Sequence, residues 1–142
     1  DLKNGFFHVP LEEESYKYTS FVTHNAQYEF LKVPFGLSIS PSVFQRFINT
    51  IFRDLIKEEI MMAYFDDIII LAKDEEEGMN RLEKVLHLAE QYGLNISWKK
   101  CQFLCTKIEY LGLEVENATV RPLESKKRAI QRFPKPSNVQ QI

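Results

Sequence analysis

The clearest hydrophobic pattern along the chain covers residues 40–56. Apolar side chains recur there at intervals of three and four residues, which is the spacing of one face of an amphipathic helix. Ser40 can cap this helix and Pro41 can occupy its first turn. The pattern predicts a helix whose strongly buried face is formed by Phe44, Phe47, Ile48, Ile51, Phe52, Leu55 and Ile56.

A second helix is predicted to begin after Asp74. Glu77 follows three residues later, a spacing typical of a helix start, and Gly93 is typical of a residue just past a helix end. A third, basic helix is predicted within residues 120–136, where Pro134 and Pro136 would stop it. The inner face of the second helix is predicted to consist of Met79, Leu82, Val85, Leu86 and Ala89.

The remaining patterns are those of strands. Residues 18–23 and 28–33 are rich in aromatic and β-branched side chains and flank a turn-forming "HNAQ", so they predict a β-hairpin. Residues 61–72, "MMAYFDDIIILA", predict a strand, a turn and a strand. We therefore expect an α+β fold, an antiparallel sheet with helices packed on one face. Shorter strands are predicted at 94–97, 101–104, 107–111 and 113–116.

Composition narrows the class of protein. The 142 residues are 44% hydrophobic with a formal net charge of −2, which predicts one folded domain without overall basic character. Six Lys and Arg against one Glu make residues 121–135 locally basic. There is no signal peptide and no apolar run long enough to span a membrane, so we expect an intracellular chain with no membrane partner. Because it begins at Asp1 and not at Met, we interpret it as part of a longer polypeptide.

Cysteine and histidine do not suggest a metal site. Cys101 and Cys105 lie four residues apart in a predicted strand, and buried free thiols are the expected state. The histidines His8, His24 and His87 are scattered, and zinc would require them to converge with the cysteines.

Asp66 and Asp67 lie side by side within the apolar run of residues 61–72. Asp is common in turns, so one interpretation is a simple hairpin turn. However, no Gly or Asn accompanies the pair, and Phe65 occupies a position where a small residue is usual. Neighbouring carboxylates repel each other, and near an apolar core they also lose hydration, so both effects cost free energy. A bound divalent cation would offset these two costs. Mg²⁺ is usually bound by one or two protein carboxylates together with substrate phosphates. The second interpretation is therefore a phosphoryl-transfer site, in which Asp1 could supply a third carboxylate.

Five motifs, in this order and spacing, resemble the palm of a reverse transcriptase from gypsy-type LTR retrotransposons. The resemblance implies the palm of a right-hand polymerase over residues 1–116, with a small part of the fingers. Residues 117–142 would begin the connection to the thumb. The motifs are "DLKNGFFHVPL", "LKVPFGLSISPSVFQRFIN", "YFDDIIILA", "YGLNISWKKCQF" and "IEYLGLEV".

The resemblance implies a catalytic role for Asp1, Asp66 and Asp67. In this family the three carboxylates hold two Mg²⁺ ions, for which Mn²⁺ is a possible substitute, and these ions serve transfer of dNMP to a primer 3′-hydroxyl. Asp1 and Asp66 are the surer ligands. A lysine near this point can protonate the departing pyrophosphate. Lys99 is our choice, with Lys100 a close second, and a simple exposed pair of lysines is the alternative.

A nucleotide site is implied by the same resemblance. Phe6 matches an aromatic gate that collides with a ribose 2′-hydroxyl and so favours deoxynucleotides. Phe35 and Gly36 belong to a loop over the nascent base pair, and Tyr64 opens the Tyr-X-Asp-Asp turn. From the residues alone, Phe6 could equally be a core aromatic, and "VPFGL" an ordinary loop before a helix.

Partners follow from the same family. Tyr110, Leu111 and Gly112 match a hairpin that positions the primer, although by pattern alone they are a strand and a turn. The basic residues 121–135 could contact primer–template phosphates. The expected partners are an RNA template, a DNA primer–template duplex and dNTPs, with fingers, thumb and RNase H in a parent pol polyprotein.

The sequence favours an RNA-directed DNA polymerase over two alternatives. A palm-like nucleotidyl cyclase or RNA polymerase would use similar carboxylates, but Phe6 argues against ribonucleotides. An inactive relic could act only as a nucleic-acid or protein binding module, yet all three aspartates are intact. We expect the 142 residues alone to have little or no activity. A cytoplasmic virus-like particle is implied only by the resemblance.

Overall fold

The computed structural model describes residues 1–116 and 119–132. The chain forms two compact units, Asp1–Cys101 and Gln102–Ile142. The boundary predicted after residue 116, between the palm and the connection to the thumb, stays a prediction.

The first unit contains the main helices and two short antiparallel strand pairs. Its helices are α1 (Ser40–Ile51), α2 (Arg53–Lys57) and α3 (Glu75–Gln91). Its strands are β1 (Phe21–Val22), β2 (Gln27–Tyr28), β3 (Met61–Tyr64) and β4 (Asp67–Ile70). Three short 3-10 helices cover Gly5–His8, Glu13–Thr19 and Trp98–Lys100.

The amphipathic pattern of residues 40–56 is confirmed, with one interruption. The helix breaks at Phe52, whose φ of −95° and ψ of 17° separate α1 from α2. The prediction that Ser40 caps the helix is wrong, because Ile39 occupies that position. The Ser40 hydroxyl instead donates to the Pro34 carbonyl oxygen (2.7 Å) and ties the preceding loop to the helix.

Both ends of α3 follow the predicted local chemistry. Asp74 Oδ1 accepts a hydrogen bond from the Glu77 N–H (2.8 Å), which satisfies a donor that the helix leaves free. Gly93 follows the helix with φ +64°, a left-handed conformation that costs glycine little. The prediction that Met79 lines the inner face is wrong, because its side chain is half exposed in the first turns of the helix.

The predicted hairpin at residues 61–72 is confirmed as β3 and β4, paired from Met61↔Ile70 to Tyr64↔Asp67. The hairpin predicted at 18–33 is shorter than expected, since only two residue pairs form and Glu13–Thr19 is helical. Residues 94–97 contribute a single bridge, Leu2↔Ile96, in place of a strand.

The second unit is a three-stranded antiparallel sheet followed by a helix. The predicted strands at 107–111 and 113–116 are confirmed. A third strand was not predicted, and residues 101–104 form no strand. The basic helix is confirmed, while the prolines expected to stop it lie outside the described residues. These elements are β5 (Lys107–Tyr110), β6 (Leu113–Glu116), β7 (Thr119–Pro122) and α4 (Glu124–Gln131).

The cysteines differ from the prediction. Cys101 is half buried and Cys105 is exposed, and both are free thiols. The buried state was wrong for Cys105 because residues 101–104 are irregular and have no inward-facing strand side.

The core of the first unit lies between α1, the β3–β4 hairpin and α3, as an α+β fold with antiparallel pairs requires. Within the described ranges, no helix is both long enough and apolar enough to cross a membrane. The buried apolar cluster consists of Leu2, Val9, Val33, Phe44, Ile48, Ile51, Phe52, Met61, Val85, Ala89 and Leu94.

Candidate active site

The β3–β4 hairpin places the acidic pair at its tip. Tyr64 pairs with Asp67, so the connecting turn consists of Phe65 and Asp66. Phe65 has φ +52°, an uncommon conformation for a bulky residue and one that costs free energy. The turn is therefore strained at the residue that precedes Asp66.

The amino-terminal segment lies against this turn. The Leu2 N–H donates to the Asp66 carbonyl oxygen (2.9 Å), which brings the backbone of Asp1 next to that of Asp66. On its other side, the Asp1 carbonyl oxygen accepts from the Ser97 N–H (2.9 Å). The segment is thus held between the hairpin tip and residues 95–97, and the predicted meeting of Asp1 with the acidic turn occurs.

The Asp66 carboxylate is half buried and incompletely satisfied. Its Oδ1 atom is buried and has no hydrogen-bond partner among the described residues. Burial is the main cause that raises the pKa of Asp66, and the neighbouring Asp67 charge raises it further, while Lys100 acts in the opposite direction. Among the described residues, no cationic side chain forms an ion pair with Asp66.

Gly5 provides the space for that carboxylate. A Cβ atom at this position would collide with Asp66 Oδ1 and would lie 2.6 Å from Cζ of the buried Phe44 ring. No side chain larger than hydrogen therefore fits between α1 and the acidic turn.

Lys100 is the lysine that contacts the acidic residues. Its Nζ lies 3.8 Å from Asp1 Oδ1, in an ion pair whose lysine is largely exposed. Such exposed pairs contribute little to stability. Lys99, our first choice from the sequence, belongs to the same 3-10 helix, Trp98–Lys100, and forms no ion pair with an acidic residue in the described part of the chain. The geometry thus favours the second choice.

The carboxylates do not form a ready-made cage. Asp67 is exposed, and no group of three or more His, Cys, Asp or Glu in the described part of the chain is arranged to hold a metal ion. Adjacent carboxylates repel, so a close cluster without a counter-charge would be unfavourable. Asp1 and Asp66 are together through their backbones, while the side chain of Asp67 points into more accessible space.

Two of the four predicted nucleotide residues, Phe6 and Phe35, form an aromatic cluster with Phe44. Tyr64 lies apart from it at the end of β3, exposed and with its ring 4.5 Å from that of Phe65. The Phe6 ring lies 5.3 Å from that of buried Phe44 and 4.8 Å from that of Phe35, measured between centroids. Phe35 is 58% exposed, so the cluster runs from the core to the surface. Gly36 has φ +94° and open space where a Cβ would lie.

The predicted primer residues lie at one end of the β5–β6 hairpin in the second unit, with Tyr110 as the last residue of β5 and Leu111 and Gly112 in the turn. Leu111 and Gly112 have φ values of +50° and +77°. A Cβ at Gly112 would collide with the Lys126 side chain, so the α4 lysine lies directly over this turn.

Gln45 and Gly5 also contact the acidic turn, and neither was predicted from the sequence. Gln45 Oε1 accepts from the Phe65 N–H (2.7 Å), and its Nε2 donates to the Ala63 carbonyl oxygen (3.1 Å). A polar residue directly after Phe44, at the edge of a buried stripe, was the available signal. For Gly5, the signal was a glycine between Asp1 and an aromatic pair.

The fold and the site define a class of protein. The chain is an α+β structure in which a buried carboxylate oxygen of the acidic hairpin turn has no hydrogen-bond partner within residues 1–116 and 119–132. The amino-terminal aspartate is tied to that turn. This is a candidate cation-dependent phosphoryl-transfer site. Residues 1–115 match the family described as reverse transcriptase (RNA-dependent DNA polymerase), and the chain belongs to that family.

Similar proteins are much longer than this chain. The enzymatic polyprotein of figwort mosaic virus is 37% identical over 134 residues, covering 94% of this chain and 20% of the viral protein. The retrovirus-related Pol polyprotein from transposon opus of Drosophila melanogaster is 35% identical over 142 residues, covering 100% of this chain and 14% of the transposon protein. The chain thus spans a fifth or less of these two relatives.

Solved structures share the fold. A foamy viral protease-reverse transcriptase in complex with double-stranded DNA matches with a TM-score of 0.87 and 25% identity, covering 99% of this chain and 24% of that one. The foamy viral protease-reverse transcriptase in complex with an RNA/DNA hybrid matches with a TM-score of 0.82 and 25% identity, covering 99% and 19% of the two chains. The α+β polymerase fold is therefore confirmed.

Proposed function

We propose that this chain is the catalytic palm of an RNA-directed DNA polymerase that transfers dNMP to a primer 3′-hydroxyl. The observation that carries the proposal is the hydrogen bond from the Leu2 N–H to the Asp66 carbonyl oxygen, which brings Asp1 to the acidic turn. Family membership agrees with it, and the larger protein's activity is inferred from that membership.

Asp1, Asp66 and Asp67 would hold divalent cations, Mg²⁺ or as a substitute Mn²⁺. The residues fit such ions, because the buried Asp66 Oδ1 has no hydrogen-bond partner in the part of the chain that the structure describes, and carboxylate oxygens are the ligands that Mg²⁺ prefers. Substrate phosphates and waters would complete the coordination, so the protein need not gather a full cage. When bound, two such ions would neutralise charge on the attacking and leaving oxygens.

Lys100 is our proposed proton donor to the departing pyrophosphate. Its Nζ is held near Asp1 Oδ1 at 3.8 Å, and its 3-10 helix is tied to the amino-terminal segment through Ser97. An ammonium held beside the carboxylates can donate a proton to an oxygen that develops negative charge. Lys99 is the alternative donor.

Phe6, Phe35, Gly36 and Tyr64 would receive the incoming nucleotide. Contact with buried Phe44 restricts the Phe6 ring, and a restrained ring discriminates by shape better than a mobile one. The exposed face of Phe35 can pack on the substrate, and the open space at Gly36 allows close approach of the backbone.

Nucleic-acid partners are part of the proposal. The primer, paired with an RNA template or in a DNA primer–template duplex, would contact Tyr110, Leu111 and Gly112, and the basic residues of α4 would contact the phosphates. The parent would be a pol polyprotein with fingers, thumb and RNase H, consistent with relatives several times longer than this chain. A cytoplasmic virus-like particle is proposed as its location.

The central test replaces the Asp66 carboxylate in the longer parent polymerase. With an RNA template, a DNA primer, Mg²⁺ and dNTPs, we expect Asp66→Asn to lower incorporation roughly 10³-fold or more, because several kcal/mol of charge stabilisation would be lost. Glu83→Gln, at an exposed position of α3, is the control and should retain activity. Near-normal rates for Asp66→Asn would show that the cation assignment is wrong.

The aromatic gate is tested by sugar selection. Phe6→Ala should raise ribonucleotide incorporation relative to deoxynucleotide incorporation on the order of 10- to 100-fold, because a steric barrier to the 2′-hydroxyl is removed. Phe7→Ala, the neighbouring aromatic, should leave the ratio of kcat/KM values near that of the wild type. An unchanged ratio in Phe6→Ala would leave Phe6 as a core aromatic only.

The 142 residues alone should extend primers poorly, because fingers and thumb position the substrates. Primer extension by the isolated chain, compared with the parent polymerase at equal concentration, checks this expectation. Processive synthesis by the isolated chain would contradict it.

A further inference from the structure

The turn that carries Asp66 adopts a conformation that its own sequence does not favour. Phe65 has φ +52°, and neither turn residue is Gly or Asn, the residues that tolerate this region best. Such a conformation persists only where surrounding contacts impose it. In this structure, contacts from the Gln45 side chain and from the amino-terminal segment hold the turn.

The Gln45 side chain supplies two of them. Its Oε1 accepts from the Phe65 N–H at 2.7 Å, and its Nε2 donates to the Ala63 carbonyl oxygen at 3.1 Å. The two backbone groups lie on either side of Tyr64, along the edge of β3. A primary amide presents an acceptor and a donor as a peptide group does, so Gln45 pairs with this edge like one residue of an additional strand.

A third hydrogen bond orients the amide. Gln45 Nε2 also donates to Asn49 Oδ1 (2.9 Å), one helical turn further along α1. Both N–H groups of the amide and its oxygen are thus engaged. The chemistry of the partners sets the orientation, because the Phe65 N–H requires an acceptor and the Ala63 carbonyl requires a donor.

The opposite side of the turn is held by the amino-terminal segment. The Leu2 N–H donates to the Asp66 carbonyl oxygen at 2.9 Å. Gln45 therefore holds the residue before Asp66, and Leu2 holds Asp66 itself. If the first contact is lost, Phe65 is free to leave its strained conformation, and Asp66 would turn with it.

We propose that Gln45 is a positioning residue that keeps Asp66 in place for cation binding, with Asn49 orienting its amide. This proposal rests on the proposed function in one respect, namely that Asp66 binds a divalent cation. Gln45 contacts backbone groups of the hairpin and acts only through Asp66.

The test uses the 142-residue chain and the substitution Gln45→Met, which keeps the length of the side chain and removes its hydrogen bonds. Gln91→Met, at an exposed position at the end of α3, is the matched control. Amide hydrogen exchange measured by NMR should be at least tenfold faster at Phe65 and Leu2 in Gln45→Met. Exchange at buried Val85 should be unchanged, which separates local loss of positioning from global destabilisation.

The second measurement is Mn²⁺ affinity by electron paramagnetic resonance. We expect about tenfold weaker binding in Gln45→Met, a smaller loss in Asn49→Ala and wild-type affinity in Gln91→Met. Unchanged exchange at Phe65 and Leu2 in Gln45→Met, or Mn²⁺ affinity within twofold of wild type, would overturn the positioning role.

The same experiment separates the two proposals. If wild type and Asp66→Asn bind Mn²⁺ equally, the cation assignment of the proposed function fails, and so does the part of this proposal that concerns cation binding. Faster amide exchange in Gln45→Met would then still support the proposal that Gln45 fixes the conformation of the turn. Unchanged exchange would refute that part of the proposal too.

Discussion

Two hairpins of this chain, β3–β4 and β5–β6, end in different kinds of turn. In the second unit, the β5–β6 turn consists of Leu111 and Gly112, both with positive φ. Positive φ at both central residues, with Gly in the second, is typical of a turn whose twist matches the strands. In the first unit, the β3–β4 turn consists of Phe65 and Asp66, and no glycine assists it.

The difference lies in what holds each turn. Local chemistry accounts for much of the Leu111–Gly112 turn. The Phe65–Asp66 turn instead depends on Gln45 and Leu2, which are remote in sequence, and on the space left by Gly5. A turn that carries charges into a half-buried position is thus built by tertiary contacts, and substitutions should affect the two turns differently.

The largest effect on stability is expected from Gly5→Ala. The added Cβ would collide with Asp66 Oδ1 and the Phe44 ring, and overpacking of this kind costs about 1–3 kcal/mol. Gly93→Ala is the control, since only its φ of +64° is unfavourable and no atom lies within 4 Å, at a cost of about 1 kcal/mol. Urea denaturation measures both costs.

Binding distinguishes these variants further. Gly5→Ala should weaken Mn²⁺ binding because Asp66 is displaced, while Gly93→Ala should bind as the wild type does. Equal binding by both variants would mean that the space at Gly5 does not position the acidic turn.

The pH dependence of stability is the next prediction. Burial and Asp67 raise the pKa of Asp66 in the folded chain above its ordinary value of 3.8. The folded state then holds this proton more tightly than the unfolded state, so stability falls as the pH rises from 3.8 through the raised pKa. Without divalent cations, Asp66→Asn should therefore be more stable than the wild type at pH 7.

The comparison of urea denaturation at two pH values checks this sign. The advantage of Asp66→Asn should disappear below pH 3.8, where the wild-type carboxyl is protonated in both states. If the wild type were more stable than Asp66→Asn at pH 7 without divalent cations, burial of the charged Asp66 carboxylate would not destabilise the fold as expected.

The smallest effect is expected at the β5–β6 turn. Leu111→Asn should stabilise the chain by about 0.5–1 kcal/mol, because Asn-Gly is the preferred sequence for two positive φ values. Phe65→Asn should instead destabilise it, because the Phe65 ring packs against Tyr64 and the core. Thermal unfolding of both variants shows whether each substitution raises or lowers stability. If both raised it, the two turns would not differ in what holds them.

Ser40 and Met79 differ from their predicted roles for the same physical reason. Ser40 was expected to cap α1, but its hydroxyl satisfies the Pro34 carbonyl, a contact that depends on the path of the loop. Met79 has the correct helical spacing, yet its side chain is half exposed in the first turns of α3. Periodicity predicts which side chains share a face, and only packing decides how much of that face is buried.

The sequence by itself determined the elements near the site, including α1, the hairpin at residues 61–72 and the Asp74 cap, because these depend on local spacing and local hydrogen bonds. It also identified Asp66 and Asp67 at a turn. The meeting of Asp1 with Asp66 was implied by the family resemblance and by no local pattern, and only the tertiary structure decided that Lys100 contacts Asp1 and that Gln45 holds the turn. Those contacts join residues distant in the chain, and no local pattern specifies which distant groups will meet.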